Sequence, residues 1–149
     1  MRLVIQRVKK AEVKVNNVVV GKIELGLMVL IGIEDSDTEE DANYLIGKLV
    51  NMRIFSDSEG KMNLSVEDIN GGLLLVSQFT LHALTAKGNR PSFIQAARPD
   101  KAVPLYEYFI QKTKDSTTVP VETGVFGEDM QIAIICDGPV TIIMDSKNK

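Results

Sequence analysis

The stretch that most constrains this chain is Gly71-Gly72-Leu73-Leu74-Leu75-Val76-Ser77-Gln78-Phe79-Thr80-Leu81-His82-Ala83. Behind a Gly-Gly break comes an unbroken aliphatic run, the pattern of a strand buried on both faces. At Ser77 the character changes. Ser77, Gln78 and Thr80 put three polar side chains at the end of the most apolar strand in the chain. A buried polar group without a partner costs about 1–3 kcal/mol. Either that strand end is a site, or its polar groups satisfy neighbouring carbonyls, and the segment alone leaves both open.

The 149 residues suit one domain, long enough to bury roughly two-thirds of the unfolded chain's surface. With 44% hydrophobic and 25% charged residues, the composition is that of an ordinary globular protein. Charges interrupt the apolar residues of Met1–Lys10, which argues against a signal peptide, and no run of 18 apolar residues exists to span a membrane. One cysteine, Cys136, excludes an internal disulfide and fits a reducing cytoplasm. The net charge of −3 is unevenly spread: Glu34, Asp35, Asp37, Glu39, Glu40 and Asp41 put six acids in eight residues, and without them the rest carries +3. A modest basic surface is therefore expected, and any nucleic-acid contact should be small.

Leu3–Val8 and Ala11–Val15 have strand composition, and Asn16-Asn17 then reads as a two-residue hairpin turn into Val18–Val20. Gly21 and Gly26 punctuate further strands at Ile23–Leu25 and Leu27–Ile33, which suggests a meander or a partly closed barrel. The first helix is expected to be capped by Asp37 with Glu40 completing a capping box, and to bury Ala42, Leu45, Ile46, Leu49 and Val50. Arg53–Phe55 reads as a short strand and Asp57–Gly60 as a turn. Leu84–Pro99 reads as an irregular loop; its segment Lys87-Gly88-Asn89-Arg90-Pro91-Ser92-Phe93 suits contact with a phosphate or ribose, or an ordered surface loop. Asp100 is expected to cap a second helix burying Ala102, Leu105, Tyr106, Phe109 and Ile110, with Pro104 tolerated in its first turn. Strands at Val119–Val125, Met130–Cys136 and Val140–Met144 complete an α/β (α+β) chain of antiparallel or mixed sheet with two main helices.

Elimination narrows the chemistry. One histidine and one cysteine exclude the usual structural zinc sites, and the glycine-rich dinucleotide and phosphate-loop patterns are absent. A Ser77–His82 pair is disfavoured in an extended strand because five positions put the side chains on opposite faces, while Thr80 and His82 share one. Cys136, ending an apolar strand, reads as a packed small hydrophobe. Asp137-Gly138-Pro139-Val140-Thr141 reads as a tight turn between two strands; a cis Gly-Pro bond would cost only about 0.5–1 kcal/mol there. Gly124-Val125-Phe126-Gly127 is a second glycine-bracketed turn.

Taken together, Arg7, Ser77-Gln78-Phe79-Thr80-Leu81, Gly88-Asn89-Arg90-Pro91-Ser92-Phe93, Gly124-Val125-Phe126-Gly127 with Met130, and Gly138-Pro139-Val140-Thr141 resemble, in order and over essentially the whole chain, the D-aminoacyl-tRNA deacylase (D-tyrosyl-tRNA deacylase) family. Cys136 departs from that pattern, where a polar residue such as asparagine is expected. The resemblance implies a cytoplasmic homodimer with a β-barrel-like fold, one deacylase domain over residues 1–149, and no cofactor or metal. It implies hydrolysis of the ester joining a D-amino acid to the 3′-terminal adenosine of tRNA, at a site on the dimer interface. Ser77, Gln78, Phe79 and Thr80 would hold the substrate and supply main-chain oxyanion contacts. Gly138 and Pro139 of the other subunit would reject L-amino acids, with Arg7 and Met130 supporting that turn. Thr80 as a nucleophile is the rival mechanism. Outside the family, the alternatives are a Thr80/His82 hydrolase of small esters and a non-catalytic RNA-end binding module.

Overall fold

In the computed structural model, which describes Met1–Lys149, the chain order is β1 (Arg2–Val15), β2 (Val18–Ile23), β3 (Gly26–Gly32), α1 (Glu39–Asn51), β4 (Phe55–Ser56), β5 (Met62–Leu64), β6 (Gly72–Ser77), α2 (Pro99–Ser116), β7 (Val121–Thr123) and β8 (Gln131–Asp145). The two strands expected at the amino end are one. Asn16 and Asn17 both take positive φ, 48° and 63°, and turn β1 into β2 with Val15 opposite Val18. Two successive left-handed residues give a turn whose twist matches the strands it joins, and asparagine tolerates that conformation.

The far half of β1 pairs with β2 and the near half with β3, while β8 runs antiparallel along both halves. β3 then pairs in parallel with β6, and β6 with β7. β7 comes back against β2: a Cβ on Gly21 would stand 2.6 Å from the carbonyl oxygen of Thr123. The mixed sheet is thus nearly closed into a barrel, and β4 and β5 form a separate small hairpin.

Alternation along the strands explains the unbroken apolar runs. Leu73 and Leu75 of β6, with Leu27, Val29 and Ile31 of β3, join the larger core beneath α1 and α2. Leu74 and Val76, with Met28, Val8, Val13 and Ile23, form a second core on the opposite side. Both faces of the central strands are therefore buried, as a run without polar alternation requires. Where β3 and β6 begin, Gly26 lies opposite Gly72 so closely that a Cβ on Gly26 would be 2.0 Å from the Gly72 carbonyl oxygen. No other residue fits there.

Both expected helix caps are displaced. Thr38, not Asp37, precedes α1, and the Asp41 carboxylate accepts the Thr38 N–H at 2.9 Å. Asp37 is fully buried and serves tertiary structure: it accepts the amino-terminal ammonium of Met1 and the Glu34 N–H at 2.8 Å, with Lys147 Nζ at 3.7 Å. A buried ammonium needs a full carboxylate, and that demand outranks a helix cap. α2 begins at Pro99 after Arg98, and Asp100 caps nothing; Pro104 lies past the first turn, on the exposed side where the Asp100 carbonyl can meet water. In place of Ile110, which is only half-buried, Thr113 is buried and returns its hydroxyl to the Phe109 carbonyl at 2.7 Å.

Removing the charge of Asp37 strands the cation beside it, and breaking a buried pair typically costs about 3–5 kcal/mol. Asp37→Asn is therefore expected to lower the free energy of unfolding by that amount, read by urea denaturation with an unchanged slope. A loss under about 1 kcal/mol would show that the pair contributes little.

Candidate active site

β6 ends at Ser77, and the chain does not continue as a strand. Gln78 gives its N–H to the Ile31 carbonyl at 2.7 Å, and Phe79–His82 then wind into one turn of 3-10 helix. The turn closes over the end of β3: a Cβ on Gly32 would lie 2.9 Å from Leu81 Cβ and 3.2 Å from the Gln78 carbonyl oxygen. Strand alternation therefore ends at Ser77, and the turn, not a two-residue period, sets where Thr80 and His82 face. Thr80 Oγ1 accepts a hydrogen bond from Gln78 Nε2 at 2.6 Å. His82 is buried behind the turn with Nδ1 3.7 Å from Glu34 Oε2, and Nε2 has no partner. Thr80 and His82 do not form a nucleophile–base pair.

In front of the turn opens a cleft of about 270 Å³. Val76, Ser77, Gln78 and Phe79 line it from the end of β6, Ile31 and Ile33 from the end of β3, and Phe126, Gly127, Glu128, Met130 and Ile132 from the β7–β8 connection and the start of β8. Nine of its thirteen lining residues are apolar, so an amino-acid-sized group would be desolvated around the few polar groups of the strand end. Met130 is held in place by Gly124, where a Cβ would come within 2.6 Å of its sulfur. Beneath the site, the Tyr106 phenol donates to the Leu75 carbonyl at 3.1 Å. Burial pushes its pKa up to about 12, against the opposing pull of a backbone bond at Ser77, so it stays a donor and pins the strand end to α2. The sequence reading missed this role, because Tyr106 sits in an apolar helical stripe that explains it without a hydroxyl.

Gly138-Pro139 lies elsewhere, and it is not a turn between two strands. β8 is continuous from Gln131 to Asp145, but its register against β1 jumps: Gln6 faces Thr141 and Val8 faces Cys136. Four residues, Asp137 to Val140, are thus set against Arg7 alone, a large bulge. Its Gly138-Pro139 bond is cis, and Gly138 takes φ +129°. Arg7, almost wholly buried, holds this bulge from behind. Its Nε donates to the Asp137 carbonyl at 3.0 Å, with Asp137 Oδ2 at 3.3 Å, and its Nη1 to the Ile54 carbonyl at 2.5 Å. Gly138 and Pro139 themselves are exposed and do not line the cleft of their own chain.

The residues singled out in the sequence therefore fall into two places. Ser77, Gln78, Phe79 and Met130 meet in the cleft, with Thr80 in the adjoining turn; Arg7, Gly138 and Pro139 form the bulge. Cys136 is exposed on β8, next to the bulge, and is not packed; the outer side of this strand is uncovered as well, with Ile135 57% and Ile143 68% exposed.

A family model described as D-Tyr-tRNA(Tyr) deacylase matches residues 4–145, which takes in both places. The chain belongs to this deacylase family. Proteins named D-aminoacyl-tRNA deacylase from Akkermansia muciniphila and Flavobacterium psychrophilum are 58% and 55% identical to it over 149 residues, all of this chain and 99% of each relative. Among solved structures, a protein titled c-Myc DNA Unwinding Element Binding Protein is 37% identical with a TM-score of 0.92, over 97% of this chain and 98% of that one. A probable eukaryotic D-amino acid tRNA deacylase shares the fold at a TM-score of 0.79 and 24% identity, over 96% of this chain and 97% of the other. No helix is long and apolar enough to cross a membrane.

Arg7 satisfies two separate carbonyls at once, a task for a planar fork and not for a point charge. Arg7→Lys is accordingly expected to cost about 1–3 kcal/mol of stability, with amide exchange accelerating most around Asp137–Val140. Wild-type protection of that segment in the lysine variant would show that the fork is dispensable.

Proposed function

We propose that this chain hydrolyses the ester linking a D-amino acid to the 3′-terminal adenosine of tRNA, as a cytoplasmic homodimer whose residues 1–149 act as one domain. In this reading each protomer's Gly138-Pro139 bulge closes the Ser77–Thr80 cleft of a second copy. The observation that carries it is the separation of the two motifs. The cleft offers a floor and walls of suitable size but lacks the bulge, while the bulge is braced, exposed and beside the uncovered apolar side of β8. Pairing two copies across that side would cover Ile135 and Ile143 and bring the motifs together, each contributing to the other's site under two-fold symmetry.

Chemistry on an activated ester then needs an oxyanion contact and a placed water more than a side-chain nucleophile. A 3-10 repeat supplies no internal partners for its opening N–H groups, here Phe79 and Thr80, and these would face the developing negative charge. A single such donor is worth about 10²–10³ in rate. The ribose 2′-hydroxyl beside the scissile bond would assist proton movement. Thr80 acts as a binding group: its oxygen accepts from an amide, and no base adjoins it to make it a nucleophile. The same geometry removes support from a Thr80/His82 esterase.

Discrimination would come from main-chain bulk. The carbonyls of Gly138 and Pro139 would bond the substrate amine and fill the volume of an L side chain. Glycine has no side chain to exclude, so glycyl-tRNA should be cleaved to some degree.

The expected results are hydrolysis of D-tyrosyl-tRNA with L-tyrosyl-tRNA spared; equal rates on the two would rule out rejection by the bulge. Thr80→Ala is expected to keep activity within about tenfold of wild type, and total loss in a folded variant would restore the nucleophile model. Gly138→Val and Ser77→Tyr, the latter filling the cleft that Ser77 lines, are each expected to be nearly inactive alone. Mixed and re-annealed, they should recover roughly a quarter of wild-type activity, since a mixed dimer keeps one intact site. No recovery, with heterodimers present by native mass spectrometry, would place each site within one protomer.

A further inference from the structure

Beside the cleft stands a surface that the proposed chemistry at the ester leaves unused. From Asn70 to Pro99 the chain has no aspartate or glutamate, and the bases within this stretch, Lys87, Arg90 and Arg98, are all exposed. Leu84 and Ser92 exchange both backbone hydrogen bonds, at 2.8 and 3.0 Å, and so pinch the basic tip into a closed loop. Ala97 N–H bonds the Ile33 carbonyl at 2.9 Å, which ties the loop's far end to the rim of the cleft. The loop is also joined to the cleft wall: the rings of Phe79 and Phe93 meet edge-on at 5.2 Å. Phe79 is 55% exposed and the neighbouring Ile94 80%. An apolar step therefore leads out of the cleft into a loop whose tip carries two exposed cations.

We propose that this 84–94 loop receives the single-stranded nucleotides preceding the terminal adenosine, an assignment that rests on the deacylase reading. Lys87 and Arg90 meet the phosphates, and the exposed faces of Phe93 and Ile94 support a base. Single-stranded nucleic acid is the occupant that matches this order of groups, since its bases stack on aromatic or apolar faces while its backbone follows positive charge. The six-acid run begins at Glu34, paired with Ala96 at the loop's base, so a polyanion is repelled from that side and steered toward the tip. The interaction is small, in keeping with a chain of net charge −3.

Two substrates test it: D-tyrosyl-tRNA, and D-tyrosyl-adenosine, which has the ester and the ribose but no preceding nucleotide. For a Lys87→Ala/Arg90→Ala double variant, kcat/KM on the tRNA should fall roughly tenfold or more at low salt, mostly through KM. On the adenosine ester it should stay at the wild-type value. The salt dependence on tRNA should flatten by about 0.7 per lost phosphate contact. Ile94→Ser, at a position with little packing to lose, should lower kcat/KM a few-fold on tRNA alone. Equal losses on both substrates would overturn the proposal in favour of a general structural role, and unchanged tRNA kinetics would overturn it outright. A wild-type enzyme that cleaves neither substrate would instead remove the deacylase reading beneath it.

Discussion

The contact on which the rest depends is the parallel pairing of β3 with β6, opened by Gly26 against Gly72. Parallel strands need cover on both faces, and here one face meets the helices while the other meets the second core. The pairing carries Ile31 to a position opposite Ser77 and stops there. Everything polar at the site begins where that ladder ends: Gln78 takes the Ile31 carbonyl, the next four residues wind into a turn, and the cleft opens in front of it. A wider approach at the glycine pair would displace the cleft wall at the other end of the strand.

The two places that carry the motifs are built by opposite means. At the cleft, a regular strand stops and its backbone groups become available. At the bulge, a regular strand continues while four residues are pushed out of its ladder and braced by one guanidinium. In the proposed mechanism neither relies on a reactive side chain. For a reaction whose substrate is already an activated ester and whose selectivity concerns handedness, rigid backbone is the more useful material: its position varies little with side-chain rotamers.

How much of this could be read beforehand depends on where the deciding contacts lie. The Asn16-Asn17 hairpin, the β6 run and the buried face of α1 are written in local period and turn chemistry, and the structure has them where expected. Asp37 reads as a cap until the buried ammonium is seen, a contact no window of neighbouring residues contains. Gly138-Pro139 reads as a tight turn because turns and bulges share composition; what separates them is β1, some 130 positions away. The 3-10 turn at Phe79 was hidden for a related reason. Its apolar residues suit a strand, and only the end of β3 at Gly32 leaves room for the chain to fold back. The Ser-Gln-Phe-Thr segment and the Gly-Pro pair were legible as motifs; that they stand apart within one chain was implied by the family resemblance alone, since no local pattern carries it.

The brace on the bulge has a consequence for the kinetics of recognition. With both ends of the guanidinium engaged before any ligand arrives, little ordering entropy is left to spend when a substrate docks. Handedness would then be judged at first encounter, against a wall already standing. The wrong enantiomer would be turned away by fast departure, with no slow closing step in which it could be trapped.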